Sequence, residues 1–229
     1  TGWYTLSLHD ALPIWRPAVR SRSAPQNMFK PLLISVLIVL VFLGVCFAAR
    51  VKEPSACGIF YPDNAKQLAE MVDDLLNEAP LPEAENKATV FILPHAGYGY
   101  SGSVAAFGYK LLKNTRFRTV VIIGPSHHSA FNGISVYPHG VFSTPLGNIE
   151  VDKAFADRLI NKEKNVYFYR PAFQKEHSIE VQLPFLQRSL KDFRIVPVVI
   201  GDCTLEECVS FASLLKNAIG ERRDVLVII

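Results

Sequence analysis

The sequence predicts an α/β layered domain with a mainly parallel sheet flanked by helices. Short apolar runs rich in β-branched residues alternate along the chain with segments whose apolar residues recur at helical spacing. Such runs, bracketed by helices, are typical of strands that are buried in a parallel sheet. The regular alternation of strand and helix favours a layered fold in which the helices cover the sheet.

The predicted elements follow one another from residue 64 to residue 229. In the first helix Leu68, Val72 and Leu75 lie at helical spacing on one face. Pro184 is expected to kink or split the fourth helix, because proline removes a backbone donor inside it. The expected helices cover residues 64–79, 103–113, 151–162, 178–190 and 205–219, and the expected strands cover residues 88–93, 119–123, 195–200 and 224–229.

Two segments of different character precede the predicted domain, which occupies residues 54–229. Residues 1–27 have no hydrophobic period, and residues 5–14 resemble the translation of a sequencing adapter, so we interpret this part as a non-native or irregular leader. Residues 28–50 contain an uncharged apolar run at 31–49 that is long enough to cross a bilayer. We therefore expect a membrane anchor or an export signal there, with the domain outside the cytoplasm.

Charge and cysteine usage exclude two classes of protein. The formal net charge is +3, but the basic excess lies at or before the start of the domain and comprises Arg16, Arg20, Arg22, Lys30, Arg50 and Lys52. The domain itself has no basic excess, so we expect no nucleic-acid partner. Four cysteines are too few and too scattered for a disulfide framework. Cys203 and Cys208, five residues apart, are expected to be ordinary thiols.

Histidines follow two of the predicted strands, close to the point where each strand ends. His95 comes two residues after strand 88–93, and His127 and His128 come four and five residues after strand 119–123. Ligands of parallel sheets bind beyond the carboxyl ends of the strands, where these imidazoles could converge. A converging pair needs one more donor to make a catalytic metal site. The alternative is that each is a loop histidine bonded to backbone.

A second polar cluster lies at the start of the predicted helix 178–190. If Ser178 caps this helix, His177 and Glu180 could approach each other at its N-terminus, where the helix dipole favours a carboxylate. They are then either ligands or acid–base groups, or merely part of a capping cluster. Ser126 follows a strand but lacks the second glycine of a GxSxG nucleophile motif, so no nucleophile is indicated.

Five stretches of the chain carry a resemblance to a known family. They are residues 56–62 (ACGIFYP), 94–102 (PHAGYGYSG), 124–128 (GPSHH), 144–147 (TPLG) and 176–185 (EHSIEVQLPF). In this order and spacing they resemble the Memo family, called AmmeMemoRadiSam system protein B in prokaryotes. The family is similar in fold to the class III non-haem iron dioxygenases, which cleave aromatic rings by the extradiol route.

The resemblance implies roles for individual residues. It puts His95 and His127 at the positions of two metal ligands, with iron or copper as the ion. His177 and Glu180 are the candidate catalytic residues. The residues expected to line the pocket are His128, Glu176, Tyr98 and Ser126. The resemblance also implies a third ligand, a cysteine, at a position beyond Ile229. The last predicted strand looks like a central strand of the sheet but ends without a covering helix. We therefore expect a C-terminally truncated fragment with an incomplete site.

Three functions are compatible with these residues. The first is a metal-dependent oxidoreductase, possible with an open coordination position and a pocket histidine that handles protons. The second is a non-enzymatic metal- or peptide-binding protein that acts as a scaffold partner of a radical SAM protein and an AMMECR1-like protein, as the family name suggests. The third is a metal-dependent hydrolase, for which Glu180 is the one candidate carboxylate.

Overall fold

The computed structural model describes residues 50–80 and 88–229. The leader at 1–27 and the apolar run at 31–49 lie outside these residues, so the membrane anchor and the location of the domain remain predictions. Among the described residues, no helix combines the length and the apolar character that crossing a bilayer requires.

A six-stranded sheet forms the centre of the domain. It contains the four predicted strands and two short strands, Ile134–Val136 and Val166–Tyr167, that were not predicted. Its spatial order is β2-β9-β3-β8-β4-β7, and every neighbouring pair is parallel except β8 and β4. The strands are β2 (Val90–Phe91), β3 (Thr119–Pro125), β4 (Ile134–Val136), β7 (Val166–Tyr167), β8 (Arg194–Ile200) and β9 (Val225–Ile228). The mainly parallel sheet is therefore confirmed, with one antiparallel contact that the sequence did not indicate.

All five predicted helices are present near their expected positions, but the described residues form seven α-helices, because one predicted helix is divided in two and the short helix Pro171–Gln174 was not predicted. The predicted helix 178–190 is divided at Pro184, which occupies one of the first two positions of its second half. The predicted helix 103–113 instead begins at Tyr98, because the glycine-rich segment before residue 103 is helical. The helices are α1 (Ala65–Glu78), α2 (Tyr98–Lys110), α3 (Lys153–Leu159), α4 (Pro171–Gln174), α5 (His177–Glu180), α6 (Leu183–Ser189) and α7 (Leu205–Ile219), with a 3₁₀ turn at Lys162–Lys164.

The strands differ from the prediction in two further respects. The segment 88–93 forms only the two-residue strand β2 at the edge of the sheet, where Val90 and Ile92 are 55% and 82% exposed rather than buried. A second, three-stranded sheet also exists, in the order β1-β5-β6, with β1 at Val51–Lys52, β5 at Val141–Thr144 and β6 at Gly147–Glu150. Its strands have two to four residues, too few to give a readable period in the sequence.

The core has two layers, one on each face of the main sheet. Successive residues of a strand point to opposite faces, so Val120 and Ile122 of β3 enter one hydrophobic cluster while Val121 enters the other. Helices α1, α2 and α6 contribute to the first cluster, and α3 and α7 contribute to the second. The sheet is thereby covered on both sides, and the carboxyl ends of β3 and β8 remain at one edge, where the candidate site lies.

Candidate metal centre

Three imidazole rings from separate segments of the chain meet at the carboxyl edge of the sheet. His95 follows β2, His127 follows β3, and His177 is the first residue of α5. The ring centroids of His127 and His177 are 4.3 Å apart. The centroid of the His95 ring lies 5.3 Å from that of His127 and 6.0 Å from that of His177. The structure thus brings together the two strand-end histidines and adds His177 as a third imidazole.

Glu176 fixes the backbone and the ring of His127. Its carboxylate is buried and caps α5, with Oε1 accepting from the Ser178 N–H at 2.9 Å. The same carboxylate accepts from the His127 backbone N–H at 2.7 Å and lies 2.8 Å from Nδ1 of the His127 ring. When a carboxylate accepts a hydrogen bond from Nδ1–H, Nε2 of that histidine carries a lone pair that can bind a metal ion. Glu176 is therefore an orienting group for His127.

The protonation states of these groups suit a metal ligand set. Burial acts to raise the pKa of Glu176, but the hydrogen bonds from His127 and Ser178 outweigh it and lower this pKa, so the carboxylate is ionised. Burial, with the nearby His127 ring, lowers the pKa of both His95 and His177. Lowered pKa values keep these two imidazoles neutral at neutral pH, which is the form that binds metals.

His177 has an unsatisfied polar atom at this site. Its Nδ1 is buried without a hydrogen-bond partner among the described residues, since the carboxylate of Glu176 is 3.7 Å away. The Phe60 ring packs 4.4 Å from the His177 ring and covers one face of it. A buried nitrogen without a partner is costly unless a ligand, an ion or water meets it, so this atom is available to a bound group.

The donor set fits a transition metal. His127, Glu176 and His177 each offer a ligand atom, and these atoms all lie within 4.8 Å of one another. Imidazole nitrogens with a carboxylate suit iron, copper or zinc better than magnesium or calcium. The carboxylate of Glu176 already accepts three hydrogen bonds, two of them from His127, so coordination by imidazoles with Glu176 behind His127 requires no rearrangement of this network.

Glu180, one of the two catalytic candidates, points to a different part of the molecule. Its carboxylate accepts from the backbone N–H groups of Ser55 and Ala56, both at 2.7 Å, and from the Tyr61 hydroxyl at 2.8 Å. The Lys52 ammonium lies 3.6 Å away, in a position where burial lowers its pKa. The structure therefore gives Glu180 the role of anchoring residues 52–61 and does not bring it to the histidine cluster.

The expected pocket residues take different positions. His128 is exposed, with its ring 5.8 Å from that of His177 at the rim of the cluster. Tyr98 is buried and donates its hydroxyl to the Val181 carbonyl at 2.7 Å, so it supports the loop rather than lining an open space. Ser126 donates to the Ser129 carbonyl at 2.6 Å and lines an open cavity of about 620 Å³ between the ends of β3 and β8.

Sequence reasoning missed Gln182 as a positioning residue. It is 2% exposed, donates Nε2–H to the Pro94 carbonyl at 3.3 Å and accepts from the buried Tyr109 hydroxyl. These bonds fix the backbone immediately before His95. Gln182 lies within the family-like stretch 176–185, and this was the one indication of its importance in the sequence. Its contact with the segment before His95 is evident only from the structure.

Gly124 permits the close approach of β3 to α5, and its replacement by alanine is expected to cost about 1–3 kcal/mol in unfolding free energy. An added Cβ would lie 2.1 Å from Oγ and 2.8 Å from Cβ of Ser178, so rotating the serine side chain does not relieve the clash. Urea denaturation measures the effect. Gly99→Ala is the matched control, because no atom lies within 4 Å of its added Cβ and alanine favours α2 by about 0.5–1 kcal/mol. Equal stability of the two variants would contradict the prediction.

Comparison with known proteins identifies the family. The family described as Memo-like protein matches residues 52–229. A MEMO1 family protein of Methanobrevibacter smithii is 40% identical over 183 residues, which cover 76% of this chain and 64% of that protein. One of Pyrobaculum arsenaticum is 37% identical over 179 residues, with 75% and 64% covered. One of Thermotoga petrophila is 35% identical over 187 residues, with 77% and 68% covered.

The chain spans 64% of the length of the first two of these relatives. The match includes all three segments that carry the imidazoles, because it extends over residues 52–229. The resemblance seen in the sequence is therefore confirmed, and the chain belongs to the Memo-like protein family.

Proposed function

We propose that this chain provides the imidazole ligands of an iron or copper centre and that the protein is a metal-dependent oxidoreductase. The observation that carries the proposal is the convergence of three imidazoles beside a buried carboxylate that already orients one of them. His127 would bind through Nε2, and His95 and His177 would supply the other nitrogen donors. The fold similarity of the family to extradiol dioxygenases supports iron, and the nitrogen donor set is equally compatible with copper.

The residues around the centre have separable tasks. When bound, iron or copper supplies one-electron chemistry and an open position for dioxygen or a substrate oxygen. Glu176 holds His127 in one tautomer and one orientation. His177 is neutral at neutral pH because burial lowers its pKa, so it keeps a nitrogen lone pair available for the ion. Phe60 covers this ring and limits the access of water.

A cavity that begins at Ser126, the residue before His127, would give room for a substrate, although none of the three imidazoles is among its lining residues. It measures about 620 Å³, which is within the usual range for small-molecule sites. Ser126, Phe131, Asn132 and Asp202 are among its lining residues, so it offers hydrogen-bonding groups together with an aromatic face. The hydrolase alternative loses its support, because the carboxylate of Glu180 is engaged by residues 52–61.

Metal analysis of the anaerobically purified chain tests the centre. We expect about one iron or copper ion per chain in the unmodified protein and in His139→Ala, whose histidine is exposed and lies outside the cluster. His127→Ala and His95→Ala are expected to lose the ion while keeping the same circular dichroism. Equal metal content in all four proteins, or none after reconstitution, would contradict the proposal.

Oxygen consumption then separates a redox enzyme from a binding protein. With ascorbate as electron donor, the loaded chain should consume oxygen faster than His127→Ala, and His139→Ala should match the unmodified protein. Tight metal binding without any difference in oxygen uptake would contradict the oxidoreductase and favour the binding or scaffold role.

A further inference from the structure

Two cysteines outside the metal centre lie in direct contact. The Sγ atoms of Cys203 and Cys208 are 3.2 Å apart, and both thiols are half-buried and free. A disulfide needs an S–S distance of about 2.05 Å, so closing the bond requires the sulfurs to approach by only about 1 Å. Cys57, the other free cysteine in the described part of the chain, forms no such pair.

The start of helix α7 explains why this pair is held together. Thr204 is the N-cap, and its hydroxyl accepts from the Glu207 N–H while the Glu207 carboxylate accepts from the Thr204 N–H, which completes a capping box. Cys203 immediately precedes the N-cap and Cys208 is the fourth helical residue. Side chains at these two positions regularly pack together as a hydrophobic staple. Here the staple consists of two thiols, so the capping geometry itself keeps them in register.

We propose that Cys203 and Cys208 are a redox-active dithiol, which a low-molecular-weight disulfide such as oxidised glutathione converts reversibly into an intramolecular disulfide. One cysteine thiolate attacks oxidised glutathione, forms a mixed disulfide and releases one glutathione thiolate. The second cysteine then attacks the protein sulfur of that mixed disulfide and releases the second glutathione. Two thiols lose two electrons and two protons, and one glutathione disulfide is reduced to two glutathione thiols.

The surroundings set the conditions for this reaction. Burial, followed by the hydrogen bond with Cys208 and the nearby negative charges, raises the pKa of the Cys203 thiol to about 11. Because the thiolate is the nucleophile, oxidation should accelerate as the pH rises above neutrality. Asp202, the residue before Cys203, lines the cavity at the ends of β3 and β8, and its N–H donates to the Phe131 carbonyl at 2.8 Å.

Peptide mass spectrometry after equilibration with oxidised glutathione and alkylation of the remaining thiols tests the proposal. Trypsin releases both cysteines on the single peptide 195–216, and Glu206 and Glu207 lie between them. The oxidised peptide should be two hydrogens lighter than the reduced, unalkylated peptide. It should stay joined after further cleavage at glutamate and should regain two alkylatable thiols after reduction with dithiothreitol. Cys57→Ser should behave like the unmodified chain.

Single variants of the pair complete the test. Cys208→Ser should accumulate the mixed disulfide of Cys203 with glutathione, because the resolving thiol is missing. The proposal is overturned if peptide 195–216 keeps both thiols after equilibration with oxidised glutathione. It is equally overturned if Cys203 or Cys208 is found joined to another cysteine or to a second chain.

Discussion

Replacing Glu180 with alanine is expected to lower the free energy of unfolding by about 3–5 kcal/mol, the usual effect of removing one partner from a buried charged network. Both side chains of the Lys52–Glu180 pair are largely buried, at 12% and 3% exposure. The variant leaves the Ser55 and Ala56 N–H groups and the Tyr61 hydroxyl without their acceptor, and each unsatisfied group adds to the loss. Urea denaturation followed by circular dichroism measures this quantity.

The exposed Glu163 provides the control for Glu180. Glu163→Ala changes the same residue type in the 3₁₀ turn at Lys162–Lys164 and is expected to stay within about 0.5 kcal/mol of the unmodified chain. If Glu180→Ala were as stable as this control and lost only enzymatic turnover, then Glu180 would be a catalytic group and the anchoring role would be wrong.

Replacing Glu176 with glutamine is expected to weaken metal binding by about 10–100-fold, the range found when a residue that orients a ligand is changed. The carboxylate accepts three hydrogen bonds on its two oxygens, two from His127 and one from Ser178. The amide nitrogen of glutamine cannot accept, so at least one N–H group loses its partner and His127 is no longer held in one orientation. Competition with a chelator of known affinity measures the change.

The size of the Glu176 effect distinguishes orientation from direct binding. An orienting role predicts weakened but measurable binding in Glu176→Gln, with near-complete loss reserved for His127→Ala. Glu163→Gln should leave the affinity unchanged. A loss in Glu176→Gln as complete as that in His127→Ala would show that the carboxylate itself is a ligand, which would give two imidazoles and one carboxylate around the ion.

Much of the layered fold could be predicted because its main elements carry strong local signals. Helix α7 matches the predicted bounds 205–219, since Thr204 and Glu207 cap its start and Gly220 follows its end. The apolar runs of β3 and β8 are likewise evident from their β-branched residues. Strand β1 has no such signal, because Val51 and Lys52 become a strand only by pairing with Val141 and Phe142.

The site could be predicted in part, for a similar reason. His95 and His127 could be predicted as site residues because they follow predicted strands, and ligands of parallel sheets generally bind beyond the carboxyl ends of the strands. Glu176 and Glu180 are only four residues apart, and nothing in the sequence indicates that one orients His127 while the other anchors residues 52–61. These roles depend on the turn of α5, which directs one carboxylate to His127 and the other to residues 52–61.

The three imidazoles lie far apart in the chain, at residues 95, 127 and 177, and meet only through the assembled sheet. A ligand that requires all of them can therefore recognise the native state and has no equivalent site in the unfolded ensemble. By mass action such a ligand raises the apparent stability by about 2.7 kcal/mol at a concentration one hundred times its dissociation constant. The supply of ligand in the surroundings then contributes directly to the folded fraction of this protein.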